Sequence, residues 1–250
     1  MSAINDSSRV TRSVGFRTAS FTLLLGAALL FLASAVIQQR ASIQGWEVFN
    51  GELSGDGPGV DAQDQFAATA RLYSVANWLK VLGMLAMAAG VLALPRVAQK
   101  RKAVVAGSVA VILVAVSFGI HARLAGDQGS TGIQTLVMDP ALPVRMLFLL
   151  SLVGLVAAAI WWRGSSLPAM IGCLCLLGST VLGDFVASIV ITPLLYMFAG
   201  DGFFPVTEMV VIATTAAAGI SMLFAVGSQV RRANRTDWAP GPLAGCPGNH

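Results

Sequence analysis

One acid sits alone inside a long apolar run. The run extends from Ser166 to Met197, and Asp184 falls near its middle. A carboxylate at depth in a bilayer needs a partner, a proton or water. Four other polar residues stand at the borders of apolar stretches. Lys80 and Arg145 lie a few residues inside the start of theirs, Glu208 two residues into another, and His121 just past a third. Together with Asp184 they form a candidate intramembrane polar site, with Asp184 as a proton or cation site. The competing reading has Lys80 and Arg145 reaching back to the head groups, Glu208 capping its helix and His121 at the interface. It leaves Asp184 unexplained, and its expected partners are Lys80, Arg145 or hydroxyls such as Ser117, Thr214 and Ser221.

The remaining chemistry is thin. Cys173 and Cys175 form Cys-x-Cys, which copper could use as thiolates. On a helix, however, i and i+2 point to different sides, so both are expected to be small apolar fillers. Cys246 lies far off in the tail. There is no Walker loop, no His-Glu-x-x-His and no Gly-x-Ser-x-Gly. An aspartyl protease needs two carboxylates that share a proton, and only Asp184 is deep. The reading expects no catalytic residue, no metal and no cofactor, and points away from an enzyme.

The elements that must position these residues are membrane helices. Of the 250 residues 56% are hydrophobic and 11% charged, against about a quarter charged in soluble domains. Roughly 20 apolar residues span the hydrocarbon as a helix. The fold class expected is all-α, a polytopic transmembrane bundle. The spans are 20–37, 76–94, 103–120, 143–162, 167–192 and 206–226. A β-barrel is excluded because the runs do not alternate.

The first run, Ser20 to Ile37, follows Arg9, Arg12 and Arg17. Ala33-Ser34-Ala35 resembles a signal-peptide cleavage site. The run is longer than a usual apolar signal segment of about 7–15 residues, so a retained helix is expected. A polar loop is expected over 38–75 outside the cell. Within it, Gly51 to Gly59 is aperiodic and reads as mobile. Asp61 to Val75 reads as a helix, capped by Asp61, with Phe66, Ala70 and Tyr73 at helical spacing. Small residues Gly83, Ala86 and Gly90 line one side of the second span and favour close helix approach. Met84 and Met87 read as packing.

Basic residues mark the turns. Arg96, Lys100, Arg101 and Lys102 form the densest cluster and are expected to anchor lipid head groups, with Trp78, Trp161 and Trp162 at the interface. Arg163 to Ser166 leaves room only for a tight hairpin. A break or kink is expected near Thr192-Pro193. With both termini in the cytoplasm, eleven of the sixteen Lys and Arg residues fall on the inner side, as the positive-inside rule asks. The same placement argues against nucleic acid as the reason for a pI near 9.3. Residues 1–19 read as a cytoplasmic lead-in, 20–230 as the membrane domain and 231–250 as a disordered tail.

The function expected is a non-enzymatic accessory, assembly or scaffold subunit of the plasma membrane. Its partners would be lipids, other membrane subunits or further copies of itself. The alternative is a small transporter or channel working through Asp184. Many Arg, Ala, Gly and Val residues hint at a bacterial source.

Overall fold

The computed structural model describes residues 4–53, 60–93, 101–127, 142–163, 166–194 and 206–237. Among them there are seven α-helices, one π-helical turn and no strand. They are α1 (Ile4–Leu53), α2 (Val60–Leu92), α3 (Arg101–Asp127), α4 (Leu142–Trp162), α5 (Leu167–Leu177), α6 (Val181–Val186), the π turn (Ala187–Ile191) and α7 (Val206–Asp237). All-α is thus the fold class, and many of its large apolar side chains, such as Leu29, Val153, Ile160 and Phe224, are exposed on the outside.

Three helices are long and apolar enough to cross a membrane, over Thr18–Glu47, Ala67–Leu92 and Glu208–Ser228. Val104–Ile120, Leu149–Trp162 and Leu167–Leu177 are shorter apolar stretches among the described residues.

The packing is a ring. α1 packs on α2, α2 on α3, α3 on α4, α4 on α5 and α5 on α7, and α7 closes back onto α1. Glycines set the register at these seams. Gly83 faces Phe31 and Gly90 faces Leu24 across α1 and α2, while Gly45 faces Thr69. Position numbers rise on one helix as they fall on the other, so the pair is antiparallel. The same test makes α3 and α4 antiparallel, through Gly107 against Trp162 and Gly154 against Val114. It does so for α5 and α7 through Gly172 against Met222 and Gly178 against Thr214. The missing side chains at these positions make room for large side chains of the facing helix, and such close packing is the attraction available between helices in lipid.

Serine hydroxyls reinforce the first seam. Ser20 Oγ donates to the Gly90 carbonyl at 2.9 Å and Ser34 Oγ to the Ala76 carbonyl at 2.7 Å. Ser74 Oγ does the same from α2 to Ala122 on α3 at 3.1 Å. At the ring's centre a methyl group on Gly172 would meet Met222, Ser221 and Met87. Side chains from α2 and α7 therefore converge on α5, and the centre at that level is filled. Met84, Met87 and Met222 are fully buried, so methionines serve as core here.

Several boundaries differ from the sequence reading. Residues Gln38 to Leu53 are not loop but a continuation of α1, whose 50 residues reach about 75 Å. No Gly or Pro interrupts α1 in a way that forces a stop, and Gly45 stays inside it because it packs on Thr69. Helix over Asp61 to Val75 is found, as the outer part of α2. Arg231 to Asp237 continue α7 and are not a disordered tail. Most of the stretch Gly51 to Gly59, residues 128–141 and residues 238–250 lie outside the described residues.

The largest correction concerns the fifth span. It does not run unbroken to Thr192. α5 ends at Leu177, and α6 begins at Val181. In between, the amides of Gly178, Ser179 and Thr180 donate to carbonyls three residues back at 3.0, 3.0 and 3.1 Å. The hydroxyls of Ser179 and Thr180 donate to the carbonyls of Leu176 and Leu177 at 2.8 and 2.6 Å. Short hydroxyl side chains compete with the helix for its own acceptors. Thr180 Oγ1 also accepts from the Leu182 amide at 3.4 Å and so starts the next helix. Gly183 is required there, because any Cβ would collide with the Gly178 carbonyl. Near Pro193 the helix relaxes instead of breaking. Pro193 has no amide hydrogen for the Ile189 carbonyl. The Thr192 amide and hydroxyl both turn to the Ala187 carbonyl, the latter at 2.8 Å, which closes the π turn.

Candidate functional site

Lys80 is the clearest surprise among the expected site residues. It does not reach back to solvent or head groups: it is 2% exposed. Its Nζ stands 5.4 Å from the centroid of the Phe118 ring on α3. The position is set by packing two turns along α2 from Tyr73, between Ala76 and Met84, both fully buried. An ammonium over an aromatic face is held by the ring quadrupole, more strongly when water is excluded.

Glu208 lies in the first turn of α7, where a carboxylate suits the helix N-terminus. It does more than cap. The Tyr73 hydroxyl lies within interaction reach of the side chains of both Glu208 and Ser42. Ser42 belongs to α1 and is buried. One tyrosine thus sits where α1, α2 and α7 meet. One turn along α1 from Ser42 lies Gln38, 4% exposed, whose Oε1 has no hydrogen-bond partner. Ser34, Gln38 and Ser42 share a helix face at i, i+4 and i+8. Ser34 bonds into α2 and Ser42 lies in reach of Tyr73 there, so Gln38 faces the same seam.

Asp184 belongs to α6. The α5–α7 register runs from Gly172 beside Met222 to Gly178 beside Thr214. Continued through α6, which also packs on α7, it carries the Asp184 backbone toward the Glu208 end of the bundle. The middle of the Ser166–Met197 run is therefore not the middle of the ring. The side chains of Asp184, Arg145 and His121 lie outside the described residues.

The expected lipid anchors divide. Trp161 is 41% exposed and Trp78 46%, so both rings face outward. Trp162 is fully buried and is not an interfacial ring. It lies over Gly107, and its Nε1 donates to the Val104 carbonyl at 3.5 Å. Adjacent residues on a helix point about 100° apart, so only one of the pair can face out. Lys102 is exposed. Arg96 and Lys100, and the side chain of Arg101, lie outside the described residues.

Cys173 is buried and Cys175 half-buried. Among the described residues no three His, Cys, Asp or Glu side chains gather in a metal-holding group. Sequence reasoning named Glu208 and missed its company. In the sequence Tyr73 marks only a helical spacing, and Gln38 and Ser42 fall in the expected loop 38–75. The periodic polar positions 34, 38 and 42 were the available signal.

No protein-family model matches the chain, and no curated protein or solved structure does.

Proposed function

We propose that the chain is a multi-pass protein of a bacterial plasma membrane, crossing it six times with both termini in the cytoplasm. We further propose that it acts as a non-enzymatic accessory, assembly or scaffold subunit, with lipids and other membrane subunits or further copies of itself as partners. Alternating helix directions around the ring support the threading. So does the sequence placement of Arg96 to Lys102, Arg163 and Arg231 to Arg235 beside alternate apolar segments. The carrying observation for the role is the filled ring centre, where Met87 and Met222 close on Gly172. A conducting path would have to displace that packing. Lys102 and Trp161 toward one end and Trp78 toward the other, all exposed, suit lipid-facing collars at the two ends.

Two measurements test this. A topology reporter fused after Arg235 should be active only inside the cell. Solubilisation in mild detergent should bring down a partner of defined stoichiometry, or a homo-oligomer. A reporter active only outside, or a lone monomer at every detergent concentration, would refute it.

The alternative is a transporter or channel using Asp184. What favours it is the interruption of α5 and α6 over Gly178–Thr180 and the π turn after α6. Broken helices and π turns recur where backbone groups handle ions or substrates. Asp184→Asn separates the two readings. The transport reading expects a folded protein that has lost flux, and the scaffold reading expects unaltered partner recovery.

A further inference from the structure

A groove of about 310 Å³ runs along the outward face of α1, lined by Val36, Gln39, Arg40, Ile43, Gln44 and Glu47. These positions recur every three or four residues, so they form one stripe of the helix. Val36 and Ile43 are large apolar residues left exposed, and Arg40, Gln44 and Glu47 are exposed beside them. Among the described residues, none of the four polar side chains holds a hydrogen bond or an ion pair. The same stripe continues toward the start of α1 through Ala33 and Leu29, both exposed.

Along the stripe the chemistry changes in a fixed order. Apolar surface comes first, at Leu29, Ala33 and Val36. The guanidinium of Arg40 follows, three residues past the end of the Ser20 to Ile37 run. The carboxylate of Glu47 comes two turns later, about 10 Å along the axis, with Gln44 between. Both charged side chains are long enough to lean toward a group between them. A zwitterionic phospholipid has the same order: acyl chains, then phosphate, then ammonium. The depth agrees as well. The span Thr18–Glu47 has 30 residues, which at about 45 Å equals the bilayer with its head groups. Glu47 therefore stands at the water edge and Arg40 at phosphate depth. Arginine's planar fork suits phosphate oxygens. Quaternary ammonium groups are held in aromatic cages, and among the described residues no aromatic side chain lines this groove. Glu47 and the Gln44 carbonyl instead offer oxygens to an ammonium that has hydrogens to donate. We infer that the groove binds one phospholipid with a primary-ammonium head group, its phosphate on Arg40, its ammonium on Glu47 and an acyl chain against Val36, Ala33 and Leu29. The inference rests on the membrane reading of the chain and is indifferent to the choice between scaffold and transporter.

The test uses the full chain in mild detergent, titrated with phosphatidylethanolamine, phosphatidylcholine or phosphatidylglycerol, with bound lipids counted by native mass spectrometry. One ethanolamine lipid should bind about tenfold tighter than the choline lipid, the worth of one charge-assisted hydrogen bond. Glu47→Gln should erase that preference, and Arg40→Gln should weaken both lipids. Lys102→Gln, on α3, is the control and should keep the preference. Arg40 and Glu47 are exposed, so both variants should melt as the parent does, and melting is measured alongside. Equal binding of ethanolamine and choline lipids by the parent would overturn the assignment. So would a preference retained by Glu47→Gln, or binding untouched by Arg40→Gln. Recovery of the chain in the soluble fraction without detergent would sink the membrane reading itself, and this inference with it.

Discussion

At the end of the bundle where Ser20 meets Gly90, large side chains press on glycines. Leu24 lies on Gly90 and Trp162 on Gly107. At the opposite end, where Ser42 meets Tyr73, the seams carry hydroxyls, an amide and a carboxylate. The first end holds chiefly by shape, with one buried hydroxyl bond from Ser20 to the Gly90 carbonyl beside it. The second gains its stability from directed polar contacts, which tolerate changes of volume but not of partner. In lipid both devices are needed, because apolar helices gain little by exchanging tails for one another.

The strongest way to break this contrast is Trp162→Ala. The ring is fully buried and its removal leaves a large void, a change that costs about 3–5 kcal/mol in packed interiors. Trp161→Ala, one residue away and outward, should change stability by less than about 0.5 kcal/mol. Thermal or chemical melting of the two variants in the same detergent checks this. Equal losses would show that the Trp162 end is not packed by shape.

Much of the fold was legible in the sequence because hydrophobic blocks and basic turns are properties of composition. Helix type, the order of the apolar segments and the packing role of Met84 and Met87 followed from them. What escaped depends on contacts across the chain. Gln38 to Leu53 looks like loop because its polar residues are frequent, yet Gln38 and Ser42 fall one turn apart in step with Ser34 and are buried, while Arg40, Gln44 and Glu47 are exposed. The break at Gly178–Thr180 is hidden by the hydropathy of its flanks, whereas Pro193 points to the π turn just before it. Lys80 and Trp162 were given the habits of their types, snorkelling and interfacial, whereas neighbours on α3 claim both. For the candidate site, Glu208 was legible from charge alone. Its partners were not, since no local pattern ties position 42 to 73 or 208.

A sharper probe of the shape-packed end is Gly107→Ala. Alanine is normally better than glycine inside a helix by roughly 0.5–1 kcal/mol. Here the added methyl would collide with the Trp162 indole, and overpacking costs about 1–3 kcal/mol. The two effects oppose, and the collision should win, lowering Tm. Gly26→Ala makes the control, since nothing lies within 4 Å of the added carbon. It should raise Tm slightly. A rise in both variants would mean that Trp162 yields easily.

The smallest expected effect tests the polar side of the comparison. Ser34 Oγ donates to the Ala76 carbonyl at 2.7 Å, inside the α1–α2 seam and fully buried. Ser34→Ala removes one donor and leaves a carbonyl that retains its own helical partner. Interhelical hydrogen bonds in membranes contribute about 0.6 kcal/mol on average, because the separated helices also find partners. A loss of that order, with no change in oligomeric state, is expected from unfolding curves in mixed micelles. Ser34→Val adds volume at the same place. If directed contacts govern this end, valine and alanine should cost alike. A valine penalty several times larger would mean that shape rules here too, and that the two ends differ in residue type but not in how they hold together.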